Sequence, residues 1–198
     1  MAAIILRLVT APTVEPVSLT EAKAQCRVDI TDDDTYITAL ITAARSHLET
    51  IARPQLAMIT QTWECLLDDW PGGDTLELRP YPLQSVTSVK YTDQAGAETT
   101  YSSANYLVDT YSEPGRLRLK TGASWPSASL RELNGVAIRF VAGYGAAGTA
   151  VDMQLRQAIL LLVAHWYENR EPVLTTGAQA VSMPFTVTAL MQHWRREV

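Results

Sequence analysis

The chain is short of positive charge. Its 198 residues carry 16 Lys and Arg against 21 Asp and Glu, a formal net charge of -5. No basic stripe runs through it, so a free-standing DNA-binding domain, which needs one to neutralise phosphates, is not expected. Cysteine is scarce as well. Cys26, in an expected helix, and Cys65, in an expected strand, belong to no C-x-x-C and have no histidines at metal spacing. Two reduced, partly buried thiols are expected, not a disulfide framework or a zinc site. Catalytic signatures are missing: there is no G-x-S-x-G and no H-E-x-x-H. Asp32-Asp33-Asp34 lacks the oxygen-ligand spacing and distal Glu of a calcium loop, and helix capping accounts for it. The apolar run at residues 158–164 is far too short to cross a bilayer. The opening "MAAIILRLVTAP" lacks the basic start of a signal peptide and is broken by Arg7. These absences lead to the expectation of a soluble intracellular protein without metal, cofactor or membrane partner.

What is present reads as α+β. Hydrophobic residues make up 47% and charged residues 19%, a balance that excludes wholesale disorder. "SLTEAKAQC" predicts a helix with a capping box, Ser18 and Glu21 each satisfying a free backbone N–H. A second helix is expected from "TDDDTY", capped by Thr31 or Asp32. Its apolar stripe is Ile37, Leu40, Ile41, Ala44, Leu48 and Ile51, and Pro54 stops it. From about Ile59 to Val141 the pattern changes to short segments divided by turn signals, among them "DTLELRPYP", "SVTSVKYTD", "NYLVDT", "GRLRLK" and "GVAIRFVA". These predict an antiparallel β region. A third helix is expected from about Asp152, its N-cap, to Arg170. Its residues 158–164 are apolar all round, which calls for burial on every side, by the rest of the chain or by a neighbouring subunit. Residues 173–183 read as a loop, and a short last helix follows, with Phe185, Leu190 and Trp194 apolar. The expected organisation is a helical core of residues 1–57 and 151–198, three main helices plus the short C-terminal one, with a β insertion of residues 58–150 between helices two and three.

Gly143-Tyr-Gly145-Ala-Ala-Gly148 is a formal G-x-G-x-x-G between an expected strand and an expected helix, the context of a dinucleotide site. The third glycine of such a site lies inside the helix, and a parallel strand follows. Here the cap at Asp152 comes four residues later, and a loop follows the helix. Turn formation is the better reading. His165, with Glu168 nearby, is a candidate base, but a histidine on a mostly apolar helix reads first as a packing residue. Trp70, Trp125, Trp166 and Trp194 are candidate partner anchors, with core packing the commoner role; Trp63 is expected in the core.

Taken together, "PVSLTEAKAQCRVDITDDDTYITALITAARSHLE", "TQTWE", "RPYPLQSVTSVKYTD", "PGRL", "IRFVAGYG", "LRQAILLLVAHWYENREPV" and "PFTVTALMQHWR" resemble the head-tail connector proteins of tailed bacteriophages, in the branch found in prophages. The resemblance runs from about Val17 to Arg196. It implies a structural adaptor with no catalytic residues, made in the bacterial cytoplasm and placed at the head-tail junction of the virion. Such adaptors form a ring, usually dodecameric, under the portal protein. They extend the channel through which double-stranded DNA passes without specific binding, and they receive the next connector or a tail-completion protein. Contacts within the ring or with the portal are expected at Arg156, Trp166, Tyr167, Glu168 and Arg170 on the third helix, and at Phe185, Trp194 and Arg195 in the C-terminal segment. The acidic balance suits a channel that must not hold DNA. The alternative is a monomeric assembly factor or nucleic-acid-binding protein of the phage, using Arg116, Arg118 and Lys120 on one side of a strand.

Overall fold

A computed structural model describes residues 4–52, 55–170 and 185–195. Pro54 and the stretch expected to be a loop, residues 173–183, lie outside them. The chain divides into two compact units. Met1–Pro12 and Thr60–Tyr144 form a unit of strands; Thr13–Ile59 and Gly145–Val198 form a unit of helices.

The helical unit contains α1 (Leu19–Cys26), α2 (Asp34–Ile51), α3 (Met153–Glu168) and α4 (Phe185–Leu190), with a tight turn at Gln192–Arg195. The capping box of α1 is complete: the Ser18 hydroxyl accepts the Glu21 N–H at 3.2 Å, and the Glu21 carboxylate accepts the Ser18 N–H at 2.8 Å. The Asp152 carboxylate caps α3 by accepting the Gln154 N–H at 2.7 Å. The stripe of α2 is inside at Ile37, Ile41, Ala44 and Leu48, while Leu40 and Ile51 are half-buried. It packs on α3, which also meets α1 and α4. Leu155, Ala158, Ile159, Leu162 and Val163 of α3 are buried. Each full-sized aliphatic side chain there contributes about 1.5–3 kcal/mol. In the C-terminal segment Val187, Met191 and Trp194 are buried, one helical face at spacings of four and three.

One expectation needs correction here. The N-cap of α2 is Asp33, not Thr31 or Asp32, and its side chain makes no cap bond. Donors from the far end of α3 take that carboxylate instead, as described below. Of the apolar run 158–164, Leu160, Leu161 and Ala164 are half-buried within the chain and the rest are buried.

The strand unit holds two sheets. The first has the order β1-β2-β8-β4-β5 (Ile4–Thr10, Gln61–Leu67, Val136–Ala142, Leu83–Thr92, Glu98–Tyr101), and every pairing is antiparallel. The second has the order β3-β7-β6 (Thr75–Leu78, Gly115–Leu119, Tyr106–Asp109), also antiparallel. β1 precedes the two helices with which the sequence reading opens; it pairs along β2 from Ile4↔Leu67 to Leu8↔Trp63. One face of the first sheet is apolar, with the rows Leu67–Val136 and Cys65–Ile138 buried. On the other face, Arg7, Glu64 and Arg139 stand side by side on β1, β2 and β8. The buried Glu64 carboxylate accepts from both guanidinium groups, from Arg139 at 3.0 Å. Aromatic rings join the sheets. Trp70 stacks on Trp125 at 4.9 Å, and Tyr101 on Tyr106 at 6.2 Å. Trp70 and Trp125 are therefore packing residues. Trp63, expected in the core, is half-buried, and its indole N–H donates to Gln61 at 3.0 Å.

Two predictions follow from the packing of the helical unit. A Cβ on Gly148 would lie 2.7 Å from the Glu15 carbonyl oxygen and 2.8 Å from that of Pro16. Backbone cannot yield as a side-chain tip does. Gly148→Ala is expected to cost about 1–3 kcal/mol in urea unfolding, whereas Gly73→Ala, where nothing lies within 4 Å, should cost far less. Equal midpoints for the two variants would disprove the close approach. The second concerns Arg45, which sits buried on the apolar side of α2 and binds Glu15 at 2.7 Å and Glu49 at 2.8 Å. Arg45→Met strands two carboxylates and should cost about 3 kcal/mol. Adding Glu15→Gln and Glu49→Gln should restore much of that loss in the same measurement.

Candidate assembly interface

The candidate contact residues sit at two places in the helical unit: along α3 and in the C-terminal segment. Of these, Tyr167 and Arg170 come together. The Tyr167 hydroxyl donates to an Asp33 carboxylate oxygen at 2.5 Å, and Arg170 donates to the same oxygen at 2.9 Å. The guanidinium carbon lies 4.7 Å from the centre of the Tyr36 ring and 4.8 Å from that of Tyr167. A cation held between two aromatic faces and a carboxylate is fixed in direction as well as paired. The hydroxyl bond from Tyr167, and then Arg170, hold the Asp33 carboxyl below its usual range; the same bond pushes the Tyr167 phenol up. This cluster ties the end of α3 to the start of α2.

Arg156 is likewise engaged within the chain. It donates to the Pro16 carbonyl at 2.9 Å and to Glu21 at 2.5 Å. The Glu21 carboxyl is lowered chiefly by the Ser18 backbone N–H, with Arg156 adding to it. Trp166 is half-buried, edge-on to His47 at 5.9 Å. Trp194 is buried beside His193. The side chains that project are Glu168, Phe185 and Arg195, all exposed, Phe185 to 84%. Among the described residues Glu168 makes no ion pair.

His165 lines a pocket of about 440 Å³ with Cys26 and Glu168. Its backbone carbonyl accepts from the Asn169 amide at 2.8 Å. Burial and the charge of Glu168 raise the Cys26 thiol, and burial pushes the Cys65 thiol up to about 11. Both thiols stay protonated near neutral pH, which suits packing and not nucleophilic chemistry. No group of three or more His, Cys, Asp or Glu among the described residues is placed to hold a metal ion. No helix of the described residues is long and apolar enough to cross a membrane.

Sequence reasoning missed Asp33, Tyr36 and Arg45 as the residues that order these helices. Arg45 left a signal: it lies next to Ala44 and within the turn of Ile41 and Leu48, where a lone cation needs a partner. Asp33 left none, because three successive acids at a helix start read equally well as caps.

No curated protein matches the chain. Among solved structures it is similar to a chain in the neck of an empty gene transfer agent particle, computed with C6 symmetry. The two are 29% identical, with a TM-score of 0.80 and coverage of 98% of this chain and 96% of that one. The virion of the native gene transfer agent particle holds a chain with the same identity, coverage and TM-score. The neck of the native particle, computed with C12 symmetry, gives the same identity and coverage with a TM-score of 0.68. The profile of the head completion proteins matches residues 16–196, nearly the full length, and the chain belongs to that family.

Proposed function

We propose that this head completion protein is a structural adaptor at the head-tail junction. Its copies form a ring beneath the portal, extend the DNA channel, and receive the next connector or a tail-completion protein. One observation carries the reading: the likeness to chains of C6- and C12-symmetric necks extends over 98% of the sequence. The fold supplies surfaces for it. α3 leaves Leu160, Leu161 and Ala164 half-covered, apolar area that a neighbouring subunit would bury. A closed ring uses two different surfaces of each subunit, and the exposed Glu168, Phe185 and Arg195 are free to take part in such contacts or in contacts with the portal. The net charge of -5 disfavours retention of passing DNA.

A nucleic-acid-binding role is the second reading, and β7 is its basis. Arg116 and Arg118 alternate outward from buried Leu117 and Leu119. Arg116 is already paired to Asp109 at 2.7 Å, which leaves Arg118 and Lys120 as the charges available to phosphate.

Native mass measurement and electron microscopy of the purified protein, alone and with the portal of its own phage, should show rings in at least one sample. Glu168→Lys should reduce ring formation without moving the thermal midpoint. Absence of rings in both samples overturns the adaptor reading. A low-salt shift of duplex DNA would then favour the second.

A further inference from the structure

β1 and β3 are edge strands of their two sheets, and both line one groove of about 450 Å³. Its walls are Ile4, Leu6, Thr75 and Leu76, with the Glu77–Arg79 ion pair at the rim. Consecutive residues of β3 line it, so that strand presents its edge there. Ile4 is 55% exposed, yet it continues the row of buried Leu67 and Val136. The apolar inner face of the sheet therefore runs out to an uncovered edge. Natural sheets blunt such edges with charge or proline. β1 has one charge, Arg7, and Glu64 already binds it.

β6 is the opposite edge of the three-stranded sheet. Leu107 is 56% exposed, and Tyr111, two residues beyond the strand, is 97% exposed. The turn that carries it is fixed. The Asp109 carboxylate accepts the N–H of Tyr111 at 3.0 Å and the hydroxyl of Ser112 at 2.6 Å, and it also holds Arg116. A turn whose backbone is already ordered loses less freedom on docking, and tyrosine is enriched among the residues that dominate interface energies.

We propose that the β6–Tyr111 edge of one copy docks into the β1/β3 groove of the next copy around the ring. The inference rests on the ring reading and adds where neighbours meet. Repeated rotation about one axis joins two unlike patches, and here an apolar groove and an apolar projection lie on opposite edges. Neither brings unpaired like charge: Glu77 is paired with Arg79, and Asp109 with Arg116. β3 and β6 both run antiparallel to β7, hence in the same direction. Docking in this sense sets two open edges side by side as a parallel pair, which their free backbone groups can bond.

The test uses the full-length chain under the conditions in which the wild type forms rings. Tyr111→Asp and, separately, Ile4→Asp should raise the concentration for half-assembly at least about tenfold while leaving the melting curve unchanged. Ile4→Cys and Tyr111→Cys chains, each also carrying Cys26→Ala, should cross-link with a short bifunctional maleimide when mixed and not when either is alone. Normal rings from both Asp variants, or no cross-link within intact rings, overturn this placement and leave the ring reading standing. Cross-linking of either variant with itself points to a two-fold contact and also overturns it. If the wild type forms no ring with or without portal, the ring reading fails and this interface fails with it.

Discussion

The helical unit depends on one junction. Glu21 closes the capping box of α1 on Ser18 and, through its other oxygen, takes Arg156 from α3. Arg156 also binds the carbonyl of Pro16, the residue before Val17 and the cap. One carboxylate and one guanidinium thus fix where α1 starts, which way it points, and where the first turns of α3 lie against it. The approach of Gly148 to the carbonyls of Glu15 and Pro16 belongs to the same arrangement, since it brings the chain entering α3 onto the chain entering α1. Capping pairs on an isolated helix contribute about 1 kcal/mol. A shared pair that sets helix–helix geometry influences every apolar contact behind it.

The strand unit answers to a different constraint. A sheet with one apolar face must cover that face. Here the row of Cys65, Ile138 and Val89 is fully inside, and the stacked rings of Trp70, Trp125, Tyr101 and Tyr106 link strands and loops across the two sheets. Glu64 shows what the outer face costs. A carboxylate that is only 6% exposed has an arginine on each side of it, from β1 and from β8, and these offset the cost of its burial. The row Arg7–Glu64–Arg139 therefore fixes the register of three strands, since a slip by one residue would leave the carboxylate among apolar neighbours.

Much of this was legible in the sequence, and the limits have physical causes. The capping box of α1, the Asp152 cap, the α2 stripe and most strands announced themselves because each depends on local spacing: three residues for a box, four for a stripe, two for a strand. β1 did not. "IILRLVT" is apolar at nearly every position and shows no alternation, because aliphatic residues occupy both of its faces and Arg7 is its one charge. β5 was missed for the opposite reason: Glu98, Thr99 and Thr100 are exposed, and only Tyr101 is inside. Of the expected contact residues, the chemistry of Arg156, Tyr167 and Arg170 was visible but not their partners. Arginine and tyrosine at a helix end satisfy the same pattern whether they meet another subunit or, as here, Glu21 and Asp33 more than a hundred positions earlier. Periodicity carries no information at that separation.

The glycine motif separates pattern from chemistry most clearly. Gly143 adopts a φ of 127°, a conformation that other residues resist. A side chain on Gly145 would meet the Cβ of Ala150 at 2.7 Å, and one on Gly148 would meet two carbonyl oxygens. Each glycine thus has its own steric reason. A phosphate site needs N–H groups converging at a helix N-terminus. Instead, the backbone of Gly148 faces the oxygens of Glu15 and Pro16, whose partial negative charge repels an anion. The surroundings add Glu15 and Glu21, and the cations beside them are already committed, Arg45 to Glu15 and Arg156 to Glu21. α3 begins at Met153, five residues past Gly148, and Asp152 caps it by accepting the Gln154 N–H. The spacing that spells a nucleotide motif arises here from a chain that must turn sharply out of a strand and then pass close to its own earlier backbone, requirements that need no ligand.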